Sequence, residues 1–205
     1  MMRRRMVFGS AATALLATTP GLFQRAIAAL DTDHAAAFVK GVGDRLIAVI
    51  NGPGGGPQKR AALTPIIGAA VDVDGIAQFC LGRFWRNASA DERREYVDTF
   101  HAMLVNNIAG AVGEYQGVRF IVGQAQHRED AVVVATTIER PNNKPSPVDW
   151  LITEVGGAPK IEDMITEGVS LRLTERNDYE AFLAGNGNSV RTLIDSMRKK
   201  TAAHA

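Results

Sequence analysis

The chain lacks several features that mark common classes of protein. It contains one cysteine, Cys80, so no disulfide can form within the chain. It has no basic excess either: four of its 23 Lys and Arg residues lie in the first 28 positions, which leaves 19 basic against 22 acidic residues in the remainder. Neutralising phosphates requires a basic face, so this balance argues against a nucleic-acid partner.

The motifs of common catalytic and metal sites are also missing. The sequence has no G-x-S-x-G, no H-E-x-x-H and no Cys/His cluster with metal-ligand spacing. The acids Glu162, Asp163 and Glu167 offer a carboxylate pair, but ion pairs with arginines such as Arg172 explain them more simply. Cys80 lies in an apolar helical stretch without an adjacent histidine, so it is expected to fill the core. The sequence thus predicts no enzyme activity, no cofactor and no metal.

The N-terminus has the pattern of an export signal over residues 1–28. A basic segment, Met1–Arg5, precedes a weakly apolar stretch, Met6–Thr19, and Ala26–Ala28 supplies a small-x-small cleavage pattern. The apolar run is too short to span a membrane, although an uncleaved anchor is the alternative interpretation. The adjacent arginines suit the twin-arginine route as well as the general one. We expect cleavage near Ala28, a periplasmic location, and one domain over residues 29–205.

Helical periodicity dominates the first part of this domain. Asp33 is the expected cap of a first helix, and the glycine-rich segment 51–57 is expected to be a loop. Two short helices, 61–70 and 76–85, should follow. Ser89 and Glu92 form a capping-box pattern that predicts the start of a long helix, whose apolar stripe contains Phe100, Leu104, Ile108 and Val112.

From Gly117 the apolar period changes from 3.6 to 2, which predicts strands. Four strands are predicted, the last over residues 160–167. Because the connections between them are short, an antiparallel meander is expected. Helices at 170–184 and 190–200 follow, the first capped by Ser170 and the second by Ser189. Helices, then strands, then helices give an α+β fold with a four-stranded sheet and about six to seven helices.

One face of the sheet needs an apolar partner, and the stripe of the long helix is the nearest candidate. From periodicity alone, ordinary packing of these two elements into a core is the favoured interpretation. The apolar residues on the two facing surfaces are Phe100, Leu104, Ile108, Val112, Val118, Phe120, Val122, Val132, Val134, Val148, Trp150, Ile152 and Ile165. Periodicity alone does not distinguish a filled core from a hollow one.

Several short motifs, in a fixed order, resemble those of one family. They are Leu81–Ser89 (LGRFWRNAS), Glu92–Arg94 followed by Phe100, Val148–Trp150 (VDW), Lys160–Asp163 (KIED) and Glu167–Leu171 (EGVSL). With these the chain resembles, from about Phe38 to Lys200, the MlaC family, also called the toluene-tolerance or Ttg2 family, which includes hopanoid-associated relatives. The combination in this order is specific, although each motif alone is weak.

The resemblance implies a curved antiparallel sheet wrapped by helices around an apolar cavity. We therefore expect the facing residues of the sheet and the long helix, from Phe100 to Ile165 as given above, to bind the apolar part of a ligand. It further implies a periplasmic carrier of phospholipid or a hopanoid-like amphiphile. The implied partners are an inner-membrane ABC transporter complex with an MCE-domain subunit and an outer-membrane lipoprotein-porin complex. Two other classes stay open: an envelope adaptor that binds only protein, and a small α+β enzyme. For Gly168 and Ser170 a turn and a helix cap are expected, with partner docking as the alternative.

Overall fold

A computed structural model describes residues 30–111 and 115–203, and within them the chain forms seven helices and five strands. The helices are α1 (Thr32–Asn51), α2 (Gly56–Ala70), α3 (Val73–Leu81), α4 (Phe84–Asn87), α5 (Ala90–Ala111), α6 (Leu171–Gly185) and α7 (Val190–Ala203). The strands are β1 (Arg119–Arg128), β2 (Ala131–Glu139), β3 (Ser146–Val155), β4 (Ala158–Thr166) and β5 (Val169–Ser170). The predicted α+β class is confirmed. The predicted export signal lies outside the described residues.

Local capping fixes where most of the helices begin. The Ser89 and Glu92 box is present: the Ser89 N–H donates to Glu92 Oε2 at 2.9 Å, and the Glu92 N–H donates to Ser89 Oγ at 3.2 Å. Ser170 and Ser189 cap α6 and α7: each hydroxyl accepts a hydrogen bond from the backbone N–H three residues later. The expected cap of α1 was wrong, because Asp31 rather than Asp33 accepts the backbone N–H of His34.

The segment expected to be a loop, 51–57, is shorter than predicted. Asn51 is the last residue of α1, and α2 already begins at Gly56. Pro57 lies in the first turn of α2, where a missing backbone N–H has no helical acceptor to lose. A proline near a glycine run therefore starts a helix here instead of extending a loop.

The sheet is an antiparallel meander in the order β1-β2-β3-β4-β5. The prediction of four strands was wrong by one short strand. Glu167 and Gly168 both have positive φ, 52° and 78°, which suits a two-residue hairpin turn. This turn brings Val169 back opposite Thr166 and creates β5. The same two residues lead the chain directly into α6.

The outer edge of β4 is covered by the connection between α2 and α3. Val71 forms an isolated parallel bridge with Ile161, and the Asp72 N–H donates to the Ile161 carbonyl at 3.0 Å. Lys160 Nζ donates to the carbonyls of Gly68 at 3.2 Å and Ala69 at 2.6 Å. A cation at this position satisfies carbonyls at the negative end of α2. The helical layer is thereby joined to the sheet.

Most of the buried apolar side chains of the described residues form two clusters. The helical cluster is built from α2 to α7 and includes Leu63, Cys80, Tyr96 and Leu183. The sheet cluster is built from α1 and the sheet. Half-buried Leu46 and Val71 pack against both clusters and mark their border. Among the described residues, no helix combines the length and the hydropathy that crossing a bilayer requires.

Candidate functional site

The apolar face of the sheet holds most of the predicted ligand-binding residues together. The strand register pairs Val134 with Trp150 and Val132 with Ile152, and directly opposed residues project from the same face. Members of the predicted set on this face are Phe120, Val122, Val132, Val134, Val148, Trp150 and Ile152. The side chains of Val132, Val134 and Ile152 are fully buried, whereas Phe120, Val122 and Trp150 are half-buried. We call this surface the sheet face.

Helix α1, not α5, covers the sheet face, which corrects the expected arrangement. Val39 and Val42 of α1 are buried in the same cluster as Val132 and Val134. Gly43 allows the Phe120 ring to lie directly against the helix backbone, since an added Cβ would lie 2.6 Å from Phe120 Cδ1. The Phe120 ring in turn contacts Trp150, with 6.0 Å between the ring centroids.

The predicted stripe of α5 packs instead within the helical cluster. Phe100 is buried there, with its ring centroid 6.0 Å from that of Tyr96. Leu104 and Ile108 are half-buried at the surface of the same cluster. Val112 lies outside the described residues. Val118 is buried immediately before β1. Helix α5 contacts α2, α3 and α7. Its apolar stripe, which was expected to pack against the sheet, therefore packs against these helices.

Ile165 does not share the sheet face, and this is a second correction. It pairs with Asp149, whereas Met164 pairs with Trp150. The register between β3 and β4 shifts by one residue, so that Leu151 pairs with Asp163 and Ile152 with Ile161. A one-residue bulge reverses which side chains point to each face. Ile161, on the other side of the bulge, therefore lies on the sheet face and belongs to the sheet cluster, whereas Ile165 lies on the opposite face.

The polar groups next to the sheet face are paired. The Trp150 indole N–H donates to the Thr136 hydroxyl at 2.8 Å, and this hydroxyl donates to the Val148 carbonyl at 2.9 Å. Thr136 is buried and Trp150 is half-buried, and this chain of bonds satisfies both polar side chains within the protein. The face can thus contact an apolar ligand with no unsatisfied donor among these groups.

Two of the three acids that offered a carboxylate pair, Glu162 and Asp163, serve as structural partners, as expected, whereas Glu167 is exposed in the turn before β5. Buried Asp163 accepts hydrogen bonds from the Ser170 hydroxyl at 2.5 Å and from the Arg172 N–H at 3.1 Å. Glu162 forms an ion pair with the Arg172 guanidinium. These bonds hold the first turn of α6 against β4. Ser170 also accepts the Leu173 N–H at 3.1 Å, so its hydroxyl has two structural roles.

The titratable groups of the helical cluster are held neutral by burial. Burial, with a smaller effect of the Glu175 charge, raises the pKa of the Cys80 thiol to about 12, and the thiol donates to the Arg172 carbonyl at 3.4 Å. Burial also raises the pKa of Tyr96 and of Tyr179 well above the usual range. The expectation that Cys80 fills the core is confirmed. In the described part of the chain, no three His, Cys, Asp or Glu side chains are grouped as a metal site requires.

Two clefts open on the helical layer, away from the sheet face. One, of about 420 Å³, lies between α4 and the start of α7, and its lining includes Phe84, Glu92 and Ser189. The other, of about 610 Å³, lies between α3, α4 and α6. Neither cleft is lined by a residue of the predicted ligand-binding set.

The fold and this site define a class: an α+β protein in which one face of an antiparallel meander is apolar and covered by a helix. The family model for "MlaC protein" matches residues 40–199. The chain belongs to the MlaC family, which confirms the resemblance seen in the sequence.

Two known proteins are similar to this chain. It is 25% identical over 144 residues to the toluene tolerance protein ttg2D of Pseudomonas putida, a match that covers 69% of this chain and 66% of that protein. The chain therefore spans slightly less than two thirds of the length of this relative. A phospholipid-binding protein from Ralstonia solanacearum, solved in complex with a phospholipid, superposes with a TM-score of 0.74 at 23% identity. That superposition covers 83% of this chain and 98% of the other, and it shows that the fold is shared.

Proposed function

We propose that this protein is a periplasmic carrier that binds a phospholipid or a hopanoid-like amphiphile and catalyses no reaction. The observation that carries the proposal is the sheet face, on which half-buried Phe120, Val122 and Trp150 adjoin a fully buried apolar layer. Membership of the MlaC family and the phospholipid bound by the Ralstonia protein of the same fold support it.

The energetics of lipid transfer require such a surface. Each acyl methylene exposed to water costs about 0.8 kcal/mol, so two long chains cost on the order of 20 kcal/mol. A carrier must therefore shield the chains, whereas the head group can stay in water. We propose that the acyl chains contact the sheet face along its half-buried residues, at the border with the helical cluster that Leu46 and Val71 mark.

The carrier would exchange its lipid with membrane complexes at both ends of its path. We propose an outer-membrane lipoprotein-porin complex and an inner-membrane ABC transporter with an MCE-domain subunit as these partners. Export follows from the signal pattern in residues 1–28, with cleavage near Ala28, and leaves residues 29–205 as one domain.

A second candidate, an adaptor that binds only protein, is favoured by one observation. Val169, Leu171 and Leu173 are large apolar side chains that are 41% to 53% exposed within five consecutive positions. Exposed apolar groups of this kind often mark protein contacts. An adaptor and a carrier differ in whether the purified protein holds lipid.

The test is native mass spectrometry of protein expressed with its own signal and purified from the periplasm, followed by lipid extraction. A stoichiometric lipid adduct on a chain that begins near Ala29 is expected. A clean apo mass, together with no lipid uptake from vesicles, would contradict the carrier and favour the adaptor.

A pair of neighbouring variants locates the lipid. Phe120 and Ile121 are adjacent on β1 and lie on opposite faces of the sheet, with Ile121 48% exposed. Phe120→Ala should reduce retained lipid by about tenfold, because a lost aromatic contact is worth about 1.5 kcal/mol or more. Ile121→Ala should retain it. Equal retention by both variants, with circular dichroism showing folded protein, would place the lipid elsewhere.

A further inference from the structure

The cleft between α3, α4 and α6 has a marked local charge. Its lining consists of Gly75, Gln78, Phe79, Gly82, Arg83, Trp85, Arg86 and Arg176. Three of these eight residues are arginines and none is acidic. The chain beyond residue 28 has an acidic excess of three, with 19 basic against 22 acidic residues, so this concentration of cations opposes the overall balance. A cleft lined by charge of one sign attracts ligands of the other.

Little of this positive charge is neutralised by the protein. Arg83 forms an exposed ion pair with Glu180 at 3.3 Å, a type of contact that contributes little. Within the described residues, no carboxylate lies within ion-pair distance of Arg86 or Arg176. At least two guanidinium groups are therefore available to an anion that enters the cleft.

The position of Arg176 is fixed by the wall of the cleft. Its guanidinium carbon lies 4.9 Å from the centroid of the Phe79 ring, and Arg172 lies over the same ring at 4.5 Å. Gly82 adopts φ +56°, and a Cβ at this residue would lie 3.3 Å from Arg176 Nη2. The glycine lets the guanidinium approach the backbone closely. An arginine held in place in this way loses less conformational entropy when it binds a ligand.

The chemistry of the cleft suits a phosphate oxyanion. Guanidinium groups donate parallel hydrogen bonds to such an anion, and each bond is strengthened by charge. The volume, about 610 Å³, leaves room for more than the anion itself. Half-buried Trp85 adds an amphipathic ring of the type found where proteins meet the bilayer interface.

We propose that this cleft binds a phosphate oxyanion, supplied either by an anionic phospholipid head group at a bilayer surface or free in solution. The cleft shares no lining residue with the sheet face, so this inference stands independently of the proposed carrier function. A head group in the cleft would bring the carrier to the membrane through a contact that leaves the sheet face unoccupied.

The test uses the charge reversal Arg86→Glu, because Arg86 has no partner whose loss would disturb the fold. Arg128→Glu is the matched control: it makes the same charge change at an exposed position at the end of β1. Flotation with phosphatidylcholine vesicles, with and without phosphatidylglycerol, measures binding to the lipid head group. Isothermal titration with inorganic phosphate measures binding to the free anion.

Binding to the phosphatidylglycerol vesicles is expected to fall by at least about fivefold in Arg86→Glu and to change little in Arg128→Glu. Saturable binding of inorganic phosphate that is lost in Arg86→Glu would support the free oxyanion as the source. Equal weakening of vesicle binding by both variants would mean diffuse electrostatic attraction and would overturn the proposal. It would also be overturned if the wild-type protein bound neither the phosphatidylglycerol vesicles nor inorganic phosphate. Lipid that copurifies with the protein should be unaffected by Arg86→Glu, which separates this test from that of the carrier.

Discussion

The indole N–H of Trp150 donates a hydrogen bond to the hydroxyl of Thr136, with 2.8 Å between Nε1 and Oγ1. Thr136→Val keeps the shape of the side chain but leaves the indole N–H without its partner. The free energy of unfolding should fall by about 1 kcal/mol, because the half-buried indole loses a hydrogen bond that water replaces only in part. Urea unfolding followed by circular dichroism measures the change.

Two further variants isolate this bond. Thr136→Ser keeps the hydroxyl and should lose less stability than Thr136→Val. In the Thr136→Val background, Trp150→Phe removes the orphaned donor and should cost less than it does in the wild type, as a double-mutant cycle would reveal. Equal stability of the valine and serine variants would contradict the role of the bond.

Two glycines of α1 should respond oppositely to the same substitution. Gly43→Ala places a methyl 2.6 Å from the Phe120 ring and should destabilise the protein by about 1–3 kcal/mol. Gly41 has no atom within 4 Å of its added Cβ, so Gly41→Ala should stabilise α1 by about 0.5–1 kcal/mol. Thermal or urea unfolding of both variants checks the pair. If Gly43→Ala is as stable as Gly41→Ala, the Phe120 ring does not need this close approach.

Ser170 and Ser189 both cap helices, but only Ser170 also bonds a buried carboxylate. Ser189→Ala should cost about 1 kcal/mol, as an ordinary cap does. Ser170→Ala should cost about 2 kcal/mol, because it also removes the hydroxyl that donates to Asp163. Urea unfolding compares the two. Equal costs would show that the Asp163 bond adds no stability, and a loss of lipid transfer without a loss of stability would favour partner docking at this turn.

Cys80 should be unreactive in the folded protein. With the pKa of the thiol raised to about 12, almost no thiolate forms at about pH 9, where an exposed cysteine is about half ionised. A thiol reagent should label Cys80 only after denaturation in urea. Rapid labelling of the native protein at that pH would contradict the burial of the thiol.

The same shift in pKa makes stability depend on alkaline pH. The unfolded thiol ionises near pH 9 and the folded thiol near pH 12, so the unfolded state binds fewer protons between these values. The contribution of Cys80 is therefore fully present below about pH 9 and is lost as the pH rises toward 12. The free energy of unfolding of Cys80→Ala should fall less steeply with pH over this range. The raised pKa values of buried Tyr96 and Tyr179 also lower the free energy of unfolding at alkaline pH, and this effect remains in the variant.

Local features of the fold were predictable from the sequence because they depend on residues a few positions apart. The caps at Ser89, Ser170 and Ser189 act on backbone groups three residues away, and all three are confirmed. The cap of α1 was misplaced because Asp31 and Asp33 have the same chemistry, and only the backbone conformation distinguishes them. Asp31 has extended φ and ψ of −67° and 138°, as a cap requires.

The partner of the sheet face was not predictable in this way. The apolar stripes of α1 and α5 both need burial, and periodicity does not say which of them the sheet receives. Gly43 was the available signal, since a small residue in the apolar face of a helix permits close packing of an aromatic ring. Ile165 was misplaced for a related reason: strict alternation puts Ile161 and Ile165 on one face, and the register shift beside Leu151 places them on opposite faces.

The two edges of the sheet are protected in different ways, with a consequence for self-association. Exposed strand edges can recruit the edges of other copies and begin aggregation. At β4, the Val71 bridge occupies the edge at Ile161, and β5 pairs with the last two residues of the strand. At β1, the register shifts between Val122 and Ala125, and arginines stand at both ends of the strand. An irregular edge with charged groups at its ends discourages strand addition, although Arg119 is ion-paired with Glu139. Both edges of the sheet therefore limit pairing with the sheet of another copy.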